Sequence, residues 1–343
     1  MVRFIAAAHA ELALRRGLLR VPLQSIFVGG GTPTALGAQR LSRLLTPLRE
    51  LAGPDTEFTV EANPITLDDA ALDAMLRSGV SRVSVGVQSL CDSELAVLGR
   101  AHRSADALTA IGLVRDAGLR ASADLIYGID GQTADSWRRS LDGVLATGLE
   151  HLSAYALTFE PHTPLGEALA AGTAREMDDD LQRELYELAI HRAAAAGLEH
   201  YELSNFAAPA AQCRHNLTYW HNMPYVGIGP GAASYVGGVR EVTAADLDAY
   251  LAGKRLSSSR EQLTGRALAA ETAMLGLRLI DGLSRAQFAD RFGCDIAEAF
   301  PRSIARHAST GALVVTPDRV RLASNVLFAS NEVLADIIAE GQD

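Results

Sequence analysis

Four groups of residues have the types and spacing that chemistry needs. The first is GGGTPT at 29–34, which follows the apolar run SIFV. Glycines after a strand let backbone approach a ligand with no Cβ in the way. Thr32 before Pro33 reads as an N-cap with proline at the first helical position. The loop is neither a Walker loop nor G-x-G-x-x-G. The second group is Glu61, Gln88, Arg100 and Asp124. Charged groups facing a cavity are costly to bury unpaired, so they imply polar ligands or one another. Asp124 can accept from both hydroxyls of a ribose, and Arg100 can pair with an amino-acid carboxylate, or instead with Glu61. The third is CRHNLTYW at 213–220, where Cys213 and His215 stand beside Tyr219 and Trp220. That offers a thiolate or an imidazole for iron next to flat aromatic surface, or else a structural histidine. The fourth, GIGPGAAS at 227–234, is a glycine-proline turn series.

Strand-like runs that would position these residues lie at 24–29, 57–62, 81–87, 121–127, 151–158 and 200–205. Helical patterns fall at 3–17, 37–51, 67–78, 92–117, 134–147 and 178–197. This alternation implies βαβ units and a parallel sheet. Short apolar runs such as IFVGG and VSVGV read as strands buried on both faces. Right-handed crossovers curl such a series into a barrel or an open doubly wound sheet. Gly29–Thr32, Glu61, Gln88, Asp124 and the Tyr155–Thr158 region all fall at carboxyl ends of strands, which suits a barrel mouth. After about residue 235 the texture changes. Helices at 282–293 and 297–309, a hairpin over 312–324, a helix at 330–340 and a short SSSR loop at 257–260 are expected. The division is then a barrel at 1–234 and a small, mostly helical module at 235–343.

Composition is that of a globular protein, 48% hydrophobic and 21% charged. A net charge of −10 disfavours a general nucleic-acid or anionic-membrane surface, leaving peripheral membrane association at most. No apolar run approaches the roughly 20 residues that span a bilayer. The first 19 residues lack the cleavage pattern and hydroxyl residues of a targeting segment, so a cytoplasmic location is expected. The three cysteines, Cys91, Cys213 and Cys294, are too scattered for a zinc knuckle, a redox pair or a cluster motif. Each reads as a small buried hydrophobe.

GGGTPT, EANP at 61–64, VGVQSL at 85–90, DLIYG at 124–128 and HNLTYW at 215–220 occur in one order. In this the chain resembles the haem-chaperone (HemW) branch of the oxygen-independent coproporphyrinogen III oxidase-like radical S-adenosylmethionine (SAM) family. The resemblance implies a partial barrel of six βα units lacking its usual first strand, followed by a winged-helix-like C-terminal module. It implies a SAM pocket of Gly29, Gly30, Gly31, Thr32, Glu61, Gln88, Arg100, Asp124, Ile126 and Ala156. It also implies haem at His215, Asn216, Tyr219 and Trp220, with His215 the iron ligand or its neighbour, and client haemoproteins as partners. Relatives open with a strand carrying C-x-x-x-C-x-x-C for a [4Fe–4S] cluster, whereas this sequence starts at the following helix. The expectations are a bare inner edge on the 24–29 strand and no reductive SAM cleavage by the chain as written. Ala233 stands where a histidine is usual and Asp130 where a proline is. The remaining alternatives are a coproporphyrinogen III oxidase or a degenerate, non-catalytic paralogue.

Overall fold

A computed structural model describes residues 1–254 and 257–342. The chain forms two compact units, Gln24–His200 with Ser204–Cys213, and Met1–Leu23 with Tyr201–Leu203 and everything from Arg214 on.

The first unit is built on β1 (Leu23–Val28), β2 (Ala52–Ala62), β3 (Arg82–Gln88), β4 (Arg120–Tyr127), β5 (His151–Ala156), β6 (Glu199–Glu202) and β7 (Asn205–Ala207). Their order across the sheet is β1-β2-β3-β4-β5-β7-β6, with β1 at one edge as expected. Pairing is parallel from β2 to β5, while β7 runs antiparallel to β5. That reversal corrects the expectation of a wholly parallel sheet. The predicted strand at 200–205 is in fact the end of β6, a turn and the start of β7, which folds back alongside β5.

Helices follow the strands: α2 (Ala38–Arg49), α3 (Asp69–Arg77), α4 (Asp92–Val97), α5 (Ser104–Asp116), α6 (Ala134–Leu145), α7 (Pro164–Ala170) and α8 (Asp179–Ala195). The single helix expected over 92–117 is broken into α4 and α5, because Gly99 takes a left-handed conformation with φ 64°. The α1 helix (Val2–Arg15) belongs to the second unit.

The strands are not apolar on both faces, as IFVGG and VSVGV imply. Phe58 and Val60 of β2, Val83, Val85 and Val87 of β3, Ala123 and Leu125 of β4, and Leu152 of β5 are fully buried on one face. Tyr127, of the same parity, meets the rings of Trp137 on α6 and Tyr186 on α8, so this is the face the helices cover. The opposite face is polar in register. Glu61 lies opposite Ser84, Ser84 opposite Ser122, Ser122 opposite His151 and Asp124 opposite Ser153. Side chains alternate along a strand, so a polar interior and an apolar exterior share one sheet. This curled sheet with helices outside is the expected partial barrel.

The second unit contains α1, α9 (Arg214–Trp220), a meander of β8 (Ala233–Val236), β9 (Val239–Thr243) and β10 (Ser257–Gln262), and α10 (Leu247–Leu251). The stretch expected as an SSSR loop is the start of β10, held by antiparallel pairing to β9. Further on come α11 (Gly265–Gly276), β11 (Leu283–Ser284), α12 (Arg285–Phe292), α13 (Ile296–Ala299), α14 (Pro301–Ser309), β12 (Leu313–Val315), β13 (Arg319–Leu322) and α15 (Asn331–Gln342). The hairpin β12–β13 gains β11 as a third strand, which gives the winged arrangement. Among the described residues no helix is long and apolar enough to cross a membrane.

Candidate functional site

The mouth of the half-barrel is organised by local contacts between successive loops. Gly30, at φ 78°, donates its N–H to Glu61 Oε2 at 3.0 Å. A Cβ on Gly29 would stand 2.6 Å from both Glu61 carboxylate oxygens, so only glycine allows Glu61 to lie there. The loop is fastened to the one after β2 by the buried Thr34, whose Oγ1 meets Thr66 Oγ1 at 2.6 Å and accepts from Asn63 N at 3.3 Å. Thr32 occupies the expected cap position but makes no side-chain cap bond. Pro33 opens only a single 3₁₀ turn, and the α-helix begins at Ala38.

Asp124 accepts from Ser84 Oγ, at 3.2 and 3.1 Å to its two oxygens, and from Ser153. Burial nevertheless holds its carboxyl above the ordinary aspartate value. Glu61 is likewise raised, first by burial and then by the charge of Asp124, against the backbone N–H groups of Gly30 and Gly31. Two carboxyls that resist ionising together form a receptor for hydroxyls or for a cationic ligand. Gln88 ends β3 at φ 66°, an uncommon conformation for a residue with a Cβ. Its amide nitrogen lies 2.9 Å from where a Cβ of Gly86 would be, so that glycine makes room for it. Ile126 shares the face of Asp124, whereas Ala156 has the parity of the helix-covered face and is exposed at the end of β5. Arg100 is exposed beyond α4 and forms no ion pair with Glu61, which removes that alternative.

Two buried networks support this mouth, and sequence reasoning missed both. In one, Glu94 Oε2 accepts from Ser89 Oγ at 2.6 Å and from Gln132 Nε2 at 3.0 Å, while Gln132 Oε1 accepts from Gly128 N at 2.8 Å. It ties the loops after β3 and β4 together around the exposed Asp130 turn. In the other, deeper along the polar face, Arg82 pairs with Glu57 at 3.2 Å and donates to Ala211 O at 2.5 Å. Cys213 donates its thiol to Glu57 at 3.5 Å, and Ser122 meets His151 Nδ1 at 2.8 Å. Burial, helped by the Arg82 charge, pushes His151 down to about 3. The buried Cys213 is therefore part of the barrel floor. The strict alternation in RVSVGVQ and RASADLIY is the sequence signal for this polar face.

In the second unit, α9 carries the HNLTYW residues. His215 and Tyr219, four apart on one helix face, have ring centroids 4.8 Å apart edge-on, and Tyr219 meets Tyr225 edge-on at 4.6 Å. Burial pushes His215 down to about 4, so its imidazole is neutral at physiological pH. Asn216 and Trp220 are half-buried, and the Arg278 guanidinium lies 4.8 Å over the Trp220 ring. Beyond the helix, Asn222 turns the chain at φ 47° and donates to Glu271 Oε2 at 3.2 Å and Thr272 Oγ1 at 3.0 Å. Arg240 pairs with Glu271, and Arg291 donates to the carbonyls of His221 and Asn222. The GIGPGAAS loop is held by the buried pair Glu11 and Arg15. Glu11 Oε2 accepts from Gly229 N at 2.9 Å, and Arg15 donates to Ser234 Oγ at 2.6 Å. Ala233 simply begins β8.

A curled parallel sheet, a glycine loop after its first strand and a polar inner face define the radical SAM class of fold. The Radical SAM superfamily profile matches residues 7–143, and the HemN C-terminal domain profile matches 263–325. The structure of coproporphyrinogen III oxidase (HemN) from Escherichia coli superposes with a TM-score of 0.82 at 20% identity, over 97% of this chain and 82% of that one. The haem chaperone HemW of Bacillus subtilis is 33% identical over 327 residues, covering 93% of this chain and 86% of that protein. HemW of Mycobacterium tuberculosis is 38% identical over 295 residues, 83% of this chain and 75% of that protein. The chain belongs to the HemW family of the radical SAM superfamily.

Proposed function

We propose that this protein binds haem at the α9 face bearing His215 and Tyr219 and delivers it to client haemoproteins in the cytoplasm. The observation that carries this reading is His215 itself. Its imidazole is kept neutral by burial and packed edge-on against Tyr219, so iron would not have to displace a proton from it. Asn216 and Trp220, on the adjacent face of the helix, complete the haem-binding group. Cys213 is unsuited to the role, because its buried thiol is engaged with Glu57.

The half-barrel mouth is the SAM site of this reading. Gly29, Gly30, Gly31 and Thr32 give backbone approach, Glu61 and Asp124 receive ammonium and ribose hydroxyls, and Gln88, Ile126, Ala156 and Arg100 are its remaining contacts. The Gly29–Glu61 cradle and the paired raised carboxyls fit a cationic, ribose-bearing ligand. The residues of this chain do not fit a [4Fe–4S] cluster. Cys91 precedes α4, Cys213 lies in the barrel floor, Cys294 follows α12, and no three His, Cys, Asp or Glu among the described residues are grouped to hold a metal ion. No reductive step is therefore assigned to this chain. The Gln24–His200 unit with Ser204–Cys213 serves as the SAM-type barrel, and the unit that holds α1, α9 and the chain from Arg214 on serves haem binding.

Titration of the purified protein with haemin tests the reading. A Soret band that saturates at one equivalent supports it, and free-haemin spectra throughout would overturn it.

A further inference from the structure

Arg278 differs from the other arginines of its segment. Arg266 and Arg302 pair with Glu340, Arg285 with Asp295 and Arg306 with Asp336, while Arg291 and Arg319 donate to backbone carbonyls. The Arg278 guanidinium makes no hydrogen bond or ion pair among the described residues. It lies over the Trp220 ring at 4.8 Å, with its Nε buried and without an acceptor. The Trp220 indole N–H is likewise buried and without an acceptor. Buried donors are rarely left unmade in folded proteins, so two such donors at one ring mark a missing acceptor. The arginine is also fixed in place. Leu203 N donates to Arg278 O at 3.1 Å, and Glu202 bridges Leu279 in antiparallel fashion. A stacked, half-buried guanidinium without a counter-charge presents a planar fork, the geometry that matches a carboxylate.

We propose that Arg278, stacked on Trp220, is a carboxylate-receiving subsite that takes a propionate of the tetrapyrrole held at α9. The inference rests on haem binding at His215 and adds the group that selects the cargo's acidic edge. Stacking holds the guanidinium before the ligand arrives, so little side-chain order is lost on binding. A carboxylate would supply the anion this cation lacks.

The test compares haemin with haemin dimethyl ester, both presented in the same detergent micelle, by Soret titration of wild type, Arg278→Gln and Arg278→Lys. A charge-assisted hydrogen bond of this kind predicts that wild type binds haemin about tenfold or more tightly than the ester. Arg278→Gln should bring that ratio close to one, and Arg278→Lys, which keeps charge without the fork, should fall between. A wild type that does not distinguish haemin from its ester would overturn the subsite while leaving haem binding intact. A ratio unchanged in Arg278→Gln would do the same. Absence of any Soret band in wild type would instead remove the haem reading and the subsite with it. The wild-type comparison needs no substitution, so a variant that fails to fold does not block the test.

Discussion

The Glu61 carboxylate rests against the α-carbon of Gly29, in the space that any side chain at position 29 would occupy. One strand end and one loop thus define each other, and Gly30 adds its N–H to the same carboxylate. Gly29→Ala should weaken SAM binding about tenfold or more by expelling Glu61, with little change in the melting temperature. Gly112→Ala, on α5 outside the pocket and where a Cβ likewise meets nothing within 4 Å, is the control and should bind as wild type. Isothermal titration of both variants with SAM checks this contrast.

Asp124 and Glu61 both have carboxyls raised above their ordinary values. For such a group the stabilising contribution is complete below the unfolded-state pKa and is lost as pH rises through the higher folded value. Asp124→Asn should therefore raise the urea midpoint at pH 8, and the gain should vanish toward pH 4. A cationic ligand favours the ionised pair, so SAM binding should release protons, measurable as a buffer-dependent enthalpy.

The deeper Arg82–Glu57 pair carries a different expectation. Removing one partner leaves a buried, uncompensated charge, at a cost of about 3–5 kcal/mol. Arg82→Met should show that loss in chemical denaturation, enlarged by the freed Ala211 carbonyl. The double variant Arg82→Met/Glu57→Leu should recover a large part of it.

His151 and His215 are pushed down to about 3 and about 4 by burial. The unfolded chain takes up protons near pH 6.5 while the folded one does not, so stability should fall as pH drops from 6.5 toward 4. Replacing His215 by Gln should flatten part of that fall, seen in melting temperatures across the range.

Much of the barrel is legible in the sequence because buried strands and amphipathic helices leave strong local patterns. The chemistry-bearing residues fall at strand ends for the same reason. The features that escape are decided by neighbours distant in sequence. Whether VSVGV is buried on both faces depends on what lies opposite Ser84, and that is Ser122 and Asp124 rather than apolar side chains. The alternation is present, but small residues between valines make it look like a uniform apolar run. Glu94 and Gln132 are ordinary in sequence, and only the fold brings them together. β7 turns back after the two-residue turn Leu203 and Ser204 that follows β6, a reversal that no periodicity signals. The HNLTYW segment stands out in sequence, but Arg278, 58 positions beyond Trp220, has no local mark.

Haem ligation by His215 can be read from haemin titration of His215→Ala beside wild type and Cys213→Ala. His215→Ala should lose the saturable Soret band, while Cys213→Ala should retain it at the wild-type position. An unchanged band in His215→Ala would contradict that ligation.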